Sequence, residues 1–153
     1  MRGSAITIGL ILWASAATPL VAVGQIRREL GVHLIAASAP RATVVAGPSV
    51  AWRVGRRDRV VLQGGAGLEE EGVLAGRLEA LWHFHLDPGA LGKPGAYLGG
   101  GVGALVGDEW RGIVIVTLGL EGSPGARAGW IVELGVGGGV RLGLGYRWRW
   151  AAR

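Results

Sequence analysis

The chain has no cysteine, which excludes a disulfide framework, a thiol nucleophile and any cysteine-based zinc or iron–sulfur site. Charge is sparse: Asp, Glu, Lys and Arg together make up 18% of the 153 residues. Lysine occurs once, at Lys93, so every other one of the 16 basic residues is arginine. Serine is scarce after residue 24, where only Ser38, Ser49 and Ser123 occur. None stands in a His-x-Ser arrangement, which argues against an acyl-transfer enzyme built on that pair. What abounds is glycine, with 30 residues, and apolar side chains, which fill 50% of the chain. The apolar half excludes simple disorder, and glycine without a G-X-Y period excludes collagen. The same glycines argue against a helical bundle, because each one inside a helix costs about 1 kcal/mol relative to alanine.

The first residues read as an address. Met1-Arg2 is a short positive start, residues 5–17 form an apolar run, and small residues lead to Ala22-Val23-Gly24. That layout predicts a cleavable signal peptide over residues 1–24 and a single domain over residues 25–153. A retained membrane helix is the competing reading, since residues 5–23 are nearly long enough to cross a bilayer. Pro19 and the small-residue end favour cleavage. Removing Arg2 with the leader leaves 15 basic against 11 acidic residues, a net charge of +4 in place of +5.

Beyond residue 28 the hydrophobic period is two. Trp110, Val114, Val116, Leu118 and Leu120 alternate with Arg111, Ile113, Ile115, Thr117 and Glu121. Val140, Leu142, Leu144, Tyr146, Trp148 and Trp150 alternate with Arg141, Gly143, Gly145, Arg147 and Arg149. Eight such runs succeed one another, separated by turn chemistry such as Gly55-Arg56-Arg57-Asp58, Gly122-Ser123-Pro124-Gly125 and Gly137-Gly138-Gly139. Alternation over runs of about ten residues is a strand signal. The expected architecture is all-β, an eight-stranded antiparallel up-and-down barrel.

Periodicity does not say which face is inside, but the charges do. The mixed face carries few ionisable residues per strand, and on the fifth run it is Tyr97, Gly99, Gly101, Gly103 and Leu105. Such positions suit a narrow barrel interior, where glycine relieves crowding. The other face is Leu, Val, Ala and Trp on every run, which makes a continuous apolar belt. That predicts a transmembrane barrel with lipid outside. A soluble periplasmic barrel with an apolar ligand inside is the reverse assignment. Strand counting favours the first. Trp52, Trp82, Phe84, Tyr146, Trp148 and Trp150 fall towards the ends of even-numbered runs and Trp130 near the start of the seventh, so these aromatics gather at one rim. Trp110 alone marks the other. An interfacial girdle has this form. Inside, Glu29, Glu79, Glu121 and Glu133 are expected to meet Arg53, Arg59, Arg77, Arg111, Arg127, Arg141, Arg147 and Arg149 in a packed ionic lumen.

In this pattern the chain resembles the small eight-stranded bacterial outer-membrane barrels of the outer-membrane protein A and X type. The stretch Gly145-Tyr146-Arg147-Trp148-Arg149-Trp150 is similar to the aromatic-ended final strand that the barrel assembly machinery recognises, although Ala151-Ala152-Arg153 follow it here. The resemblance implies residence in the bacterial outer membrane, contact with its lipid, and a structural or envelope-interaction role as a monomer.

Other motifs carry less. His83 and His85 share one face of the fourth run, and a metal site there needs a third ligand such as Glu29 or His33. With a serine they are the centre of a lipid-modifying enzyme, the second alternative. Gly99-Gly100-Gly101-Val102-Gly103 lies inside a strand pattern without a following helix, so it is not a phosphate loop. The arginines alternate singly with apolar residues and form no contiguous nucleic-acid patch. Glu69-Glu70-Glu71 and Asp108-Glu109 are expected at solvated outer loop tips. No catalytic residue, cofactor or metal is expected.

Overall fold

A computed structural model of the chain describes residues 27–38, 41–88, 92–107 and 110–151. The expected leader, residues 1–24, lies outside the described residues, as do Asp108 and Glu109. Eight strands follow in order: β1 (Arg27–Ala37), β2 (Thr43–Arg53), β3 (Asp58–Glu69), β4 (Leu74–His85), β5 (Gly95–Val106), β6 (Trp110–Glu121), β7 (Ala128–Val136) and β8 (Val140–Ala151). A single 3₁₀ turn, Glu70–Gly72, links β3 to β4. Every strand pairs antiparallel with its sequence neighbours, and β8 returns to β1 from Arg27↔Ala151 to Ala37↔Arg141, closing the barrel. The predicted fold class is the observed one.

The registers fix the barrel's shape. Stepping across partners from Arg28 leads through Trp52, Val60, Trp82, Gly100, Val116, Val136 and Val140. Val140 then meets β1 again at Ser38, whose amide donates to the Val140 carbonyl at 3.0 Å. The circuit has climbed from position 28 to 38, a shear of about ten residues, which for eight strands means a tilt of roughly 40–45°. A twelve-residue strand at that tilt rises about 25–30 Å, the height of an apolar membrane band.

Paired residues share parity in every ladder, so the odd-numbered residues face inward on all eight strands. The even positions carry the exposed hydrophobics, from Leu30 on β1 to Trp150 on β8. Inside, glycine is needed where a large side chain crosses the lumen. A Cβ on Gly119 would fall within the ring of Tyr97, which is fully buried. The interior is also less ionic than the sequence suggests. Ala51, Val61, Leu81 and Ile115 form one apolar cluster, and Ile35, Val45 and Ala75 a second.

The wall is not level at the rim opposite the start of β1. β7 pairs with β6 only from Val116 to Glu121, so residues 110–115 of β6 rise above the β7–β8 turn. That turn uses Gly138 and Gly139 at φ of 69° and 113°, left-handed values that favour glycine. It leans over the lumen: Arg77 donates to the Gly137 carbonyl at 2.9 Å, and Gly138 approaches Leu105 and Ile113.

Candidate functional site

The most built-up group of polar side chains is in the lumen. Inward alternation delivers Glu29 from β1, Arg59 from β3, Glu121 from β6 and Arg147 and Arg149 from β8 to one level, near the rim where β1 begins and β8 ends, the rim of the chain ends among the described residues. Arg59 is fully buried and donates to Glu121 at 2.6 Å and to Glu29 at 3.1 Å, while its other amino group lies 3.2 Å from His83 Nδ1. Its guanidinium carbon also stands 5.4 Å from the Tyr97 ring centroid. Arg149 is ion-paired with Glu121, and Arg53 with Glu29 at 3.1 Å. Arg147 lies 3.9 Å from Glu29.

A second knot forms further along the axis. Glu79 accepts from Arg77, Gln63 and Arg141, the last at 3.2 Å. Arg141 also reaches Glu133 at 3.3 Å, and Tyr97 donates its hydroxyl to Glu133 at 2.6 Å. His83 stacks on Tyr97 with ring centroids 4.5 Å apart. Tyr97 and His83 therefore join the two knots into one network. Charged hydrogen bonds of this kind are strong inside a low-dielectric wall, and each member depends on the others.

Of the residues expected in the lumen, Glu29, Arg53, Arg59, Arg77, Glu79, Glu121, Glu133, Arg141, Arg147 and Arg149 meet there. Two do not, and the expectation is corrected for them. Arg111 and Arg127 are exposed. Arg111 has the inward parity but stands on the part of β6 that rises above β7, and Arg127 precedes β7 in the turn, so neither is level with the enclosed wall. Sequence reading missed Gln63 and underrated Tyr97; their odd positions on β3 and β5 were the available signal. His83 and His85 are enclosed in the network. His85 contacts the Arg57 carbonyl and Glu121 at 3.1 and 3.2 Å, which engages both ring nitrogens. Among the described residues no group of three His, Asp or Glu side chains is placed to hold a metal ion.

The outer surface carries the aromatics. Trp82, Phe84, Trp110, Trp130, Tyr146, Trp148 and Trp150 are exposed and Trp52 half-buried, all on outward, even positions. Trp52 and Trp82 flank Val60, and Trp130 pairs with Tyr146, whose ring meets Trp148 edge-on at 5.1 Å. Seven of these eight sit at the rim of the chain ends and Trp110 at the other.

With that geometry established, one comparison is informative. The chain is similar to the N-terminal β-barrel domain of Pseudomonas aeruginosa OprF, with a TM-score of 0.67 and 15% identity over 83% of this chain and 99% of that one. The likeness is one of fold. No family model matches, and no curated protein does either.

Proposed function

We propose that the chain is a non-enzymatic outer-membrane barrel with a structural or envelope-interaction role, resident in the bacterial outer membrane. The observation that carries this reading is the inversion of its surface. Leu78, Val102 and Val114 are 60–74% exposed on mid-strand positions, while Arg59, Arg141 and Glu121 are fully buried. Water rewards the opposite arrangement, and hydrocarbon rewards this one. A soluble carrier with an apolar ligand inside the barrel needs an interior pocket of about 300–1,000 Å³. The cavity beside His33, Ser49, Gln63, Glu133 and Arg147 measures about 10 Å³, room for a single water. Of the histidines that an enzyme would use, His83 is engaged by Arg59 and stacked on Tyr97, and His85 contacts the Arg57 carbonyl and Glu121. The fold shared with the OprF barrel supports the same reading.

In this proposal the rim with the chain ends faces the periplasm, its aromatics lie at the inner headgroup level, and Trp110 lies at the outer one. The partners are outer-membrane lipid along the wall and the assembly machinery at β8, with the protein acting as a monomer. Flotation tests it. Purified chain refolded with phospholipid vesicles should rise with them through a density gradient after a carbonate wash, and should precipitate from buffer without detergent. A chain that stays monodisperse in buffer and remains at the bottom of the gradient refutes the membrane reading.

A further inference from the structure

At the rim of the chain ends lies a groove that the lumen network does not use. It is an open groove of about 470 Å³ between the β2–β3 turn and the start of the β4–β5 connection. Its apolar lining is Phe84, Leu86 and Pro88, and its charged lining is Arg56, Arg57, Asp58 and Asp87. Phe84 and Leu86 continue the outward, lipid-facing series of β4 that includes Leu78 and Trp82. The groove thus opens where the apolar wall gives way to charge.

The turn that presents the arginines is held rigidly. The Arg57 carbonyl accepts the His85 amide at 2.7 Å and faces His85 Nδ1 at 3.1 Å, and His85 is itself on Glu121. The Val54 amide donates to the Asp58 carbonyl at 3.1 Å and closes the turn. Asp58 is already engaged, accepting the Trp82 indole N–H at 3.0 Å. Arg56 and Arg57 are exposed, and neither has an ion pair among the described residues. The Arg57 guanidinium carbon rests 5.9 Å from the Phe84 ring centroid, and its planar fork of N–H donors suits a bidentate oxyanion partner. Asp87, exposed across the same groove, supplies a separate negative charge.

An inorganic anion has no use for the apolar lining, and a bare acyl chain has none for two arginines. A ligand carrying a phosphate, an ammonium and acyl chains uses all three parts. We propose that this groove binds the headgroup of a phosphoethanolamine phospholipid, with Arg56 and Arg57 on the phosphodiester, Asp87 on the ammonium, and the upper acyl chain against Phe84 and Leu86. The proposal rests on the membrane reading above, because it needs this rim at headgroup level.

Native mass spectrometry of the full chain refolded in non-ionic detergent tests it. The titrants are dioctanoyl phosphatidylethanolamine, dioctanoyl phosphatidylglycerol and inorganic phosphate. The ethanolamine lipid should bind with one-to-one saturation, and Arg56→Gln with Arg57→Gln should weaken it about tenfold or more, the loss of two charged hydrogen-bond donors. Asp87→Asn should weaken the ethanolamine lipid severalfold and leave the glycerol lipid unchanged. Equal binding by wild type and the double arginine variant overturns the proposal. So does phosphate competing as well as the lipid, or Asp87→Asn having no effect. These side chains are exposed, so the variants should still float with vesicles. Wild-type chain that fails to float defeats the membrane reading itself, whereas chain that floats without discriminating the headgroups defeats this site alone.

Discussion

Glu133 is held from two directions, by the Tyr97 hydroxyl at 2.6 Å and Arg141 at 3.3 Å. Removing its carboxylate leaves a buried phenol without its acceptor and an enclosed arginine with one partner fewer. Arg141 keeps Glu79, so Glu133→Ala should cost about 3 kcal/mol, the lower end for breaking a buried pair. The check is the urea midpoint of refolded chain followed by tryptophan fluorescence. An exposed glutamate changes stability by no more than about 0.5 kcal/mol, so an unmoved midpoint removes the enclosed pair. Adding Arg141→Ala should recover only part of the loss, because Tyr97 still lacks its acceptor. The Glu133–Arg141 pairing can be read from sequence, since a tight turn joins β7 to β8 and sets Gly135 opposite Arg141. The Tyr97–Glu133 bond cannot. β5 and β7 are not neighbours, and their meeting depends on the shear of the whole barrel.

At the scale of the strand, closure rests on β8. Its eleven partners on β1 and nine on β7 satisfy backbone groups that, under the proposed membrane residence, lipid could not. Deleting residues 146–153 removes the β8 half nearest the chain ends, together with Tyr146, Trp148, Trp150, Arg147 and Arg149. Two open edges and an unbalanced Glu121 and Glu29 should then prevent insertion, seen as loss of flotation and of the folded band on unheated gels. A truncated chain that still floats and migrates as folded means that closure between β1 and β8 is dispensable. Strand number and order were legible because each run kept strict alternation and each break held turn residues. Relative heights were not. Alternation assigns a face but not a level, and so Arg111 and Arg127 carry the parity of lumen residues while standing at the open ends. The shortness of β7, with nine residues against twelve in β6, is what exposes Arg111, and nothing in the alternation announces it.

For the whole molecule the deciding quantity is how full the lumen is. An eight-stranded barrel leaves an interior just wide enough for side chains. Here six arginines and four glutamates cross it, with His83 stacked on Tyr97, His85 tilted against the same ring and two apolar clusters behind. The glycine turn at 137–139, tied by Arg77 over the lumen at the rim opposite the start of β1, adds a second barrier. An ion entering would have to displace bonded charges in a low-dielectric wall, where each broken pair costs several kcal/mol, about 3–5 by the measure of buried pairs. Planar-bilayer recordings of refolded wild-type chain should therefore show no steady conductance, or only rare and brief steps. Freeing that turn should not change this, because the knot around Arg59 lies at the other rim: Arg77→Ala releases the turn and one bond to Glu79 but leaves Arg59, Glu29 and Glu121 bonded across the lumen. Removing the crossing itself should. Arg59→Ser with Glu121→Ser takes out the 2.6 Å bridge between β3 and β6, and measurable current is expected from that variant if it still floats. Large, steady currents from wild type would show that the lumen is open and that the barrel in the membrane has more strands than one chain supplies.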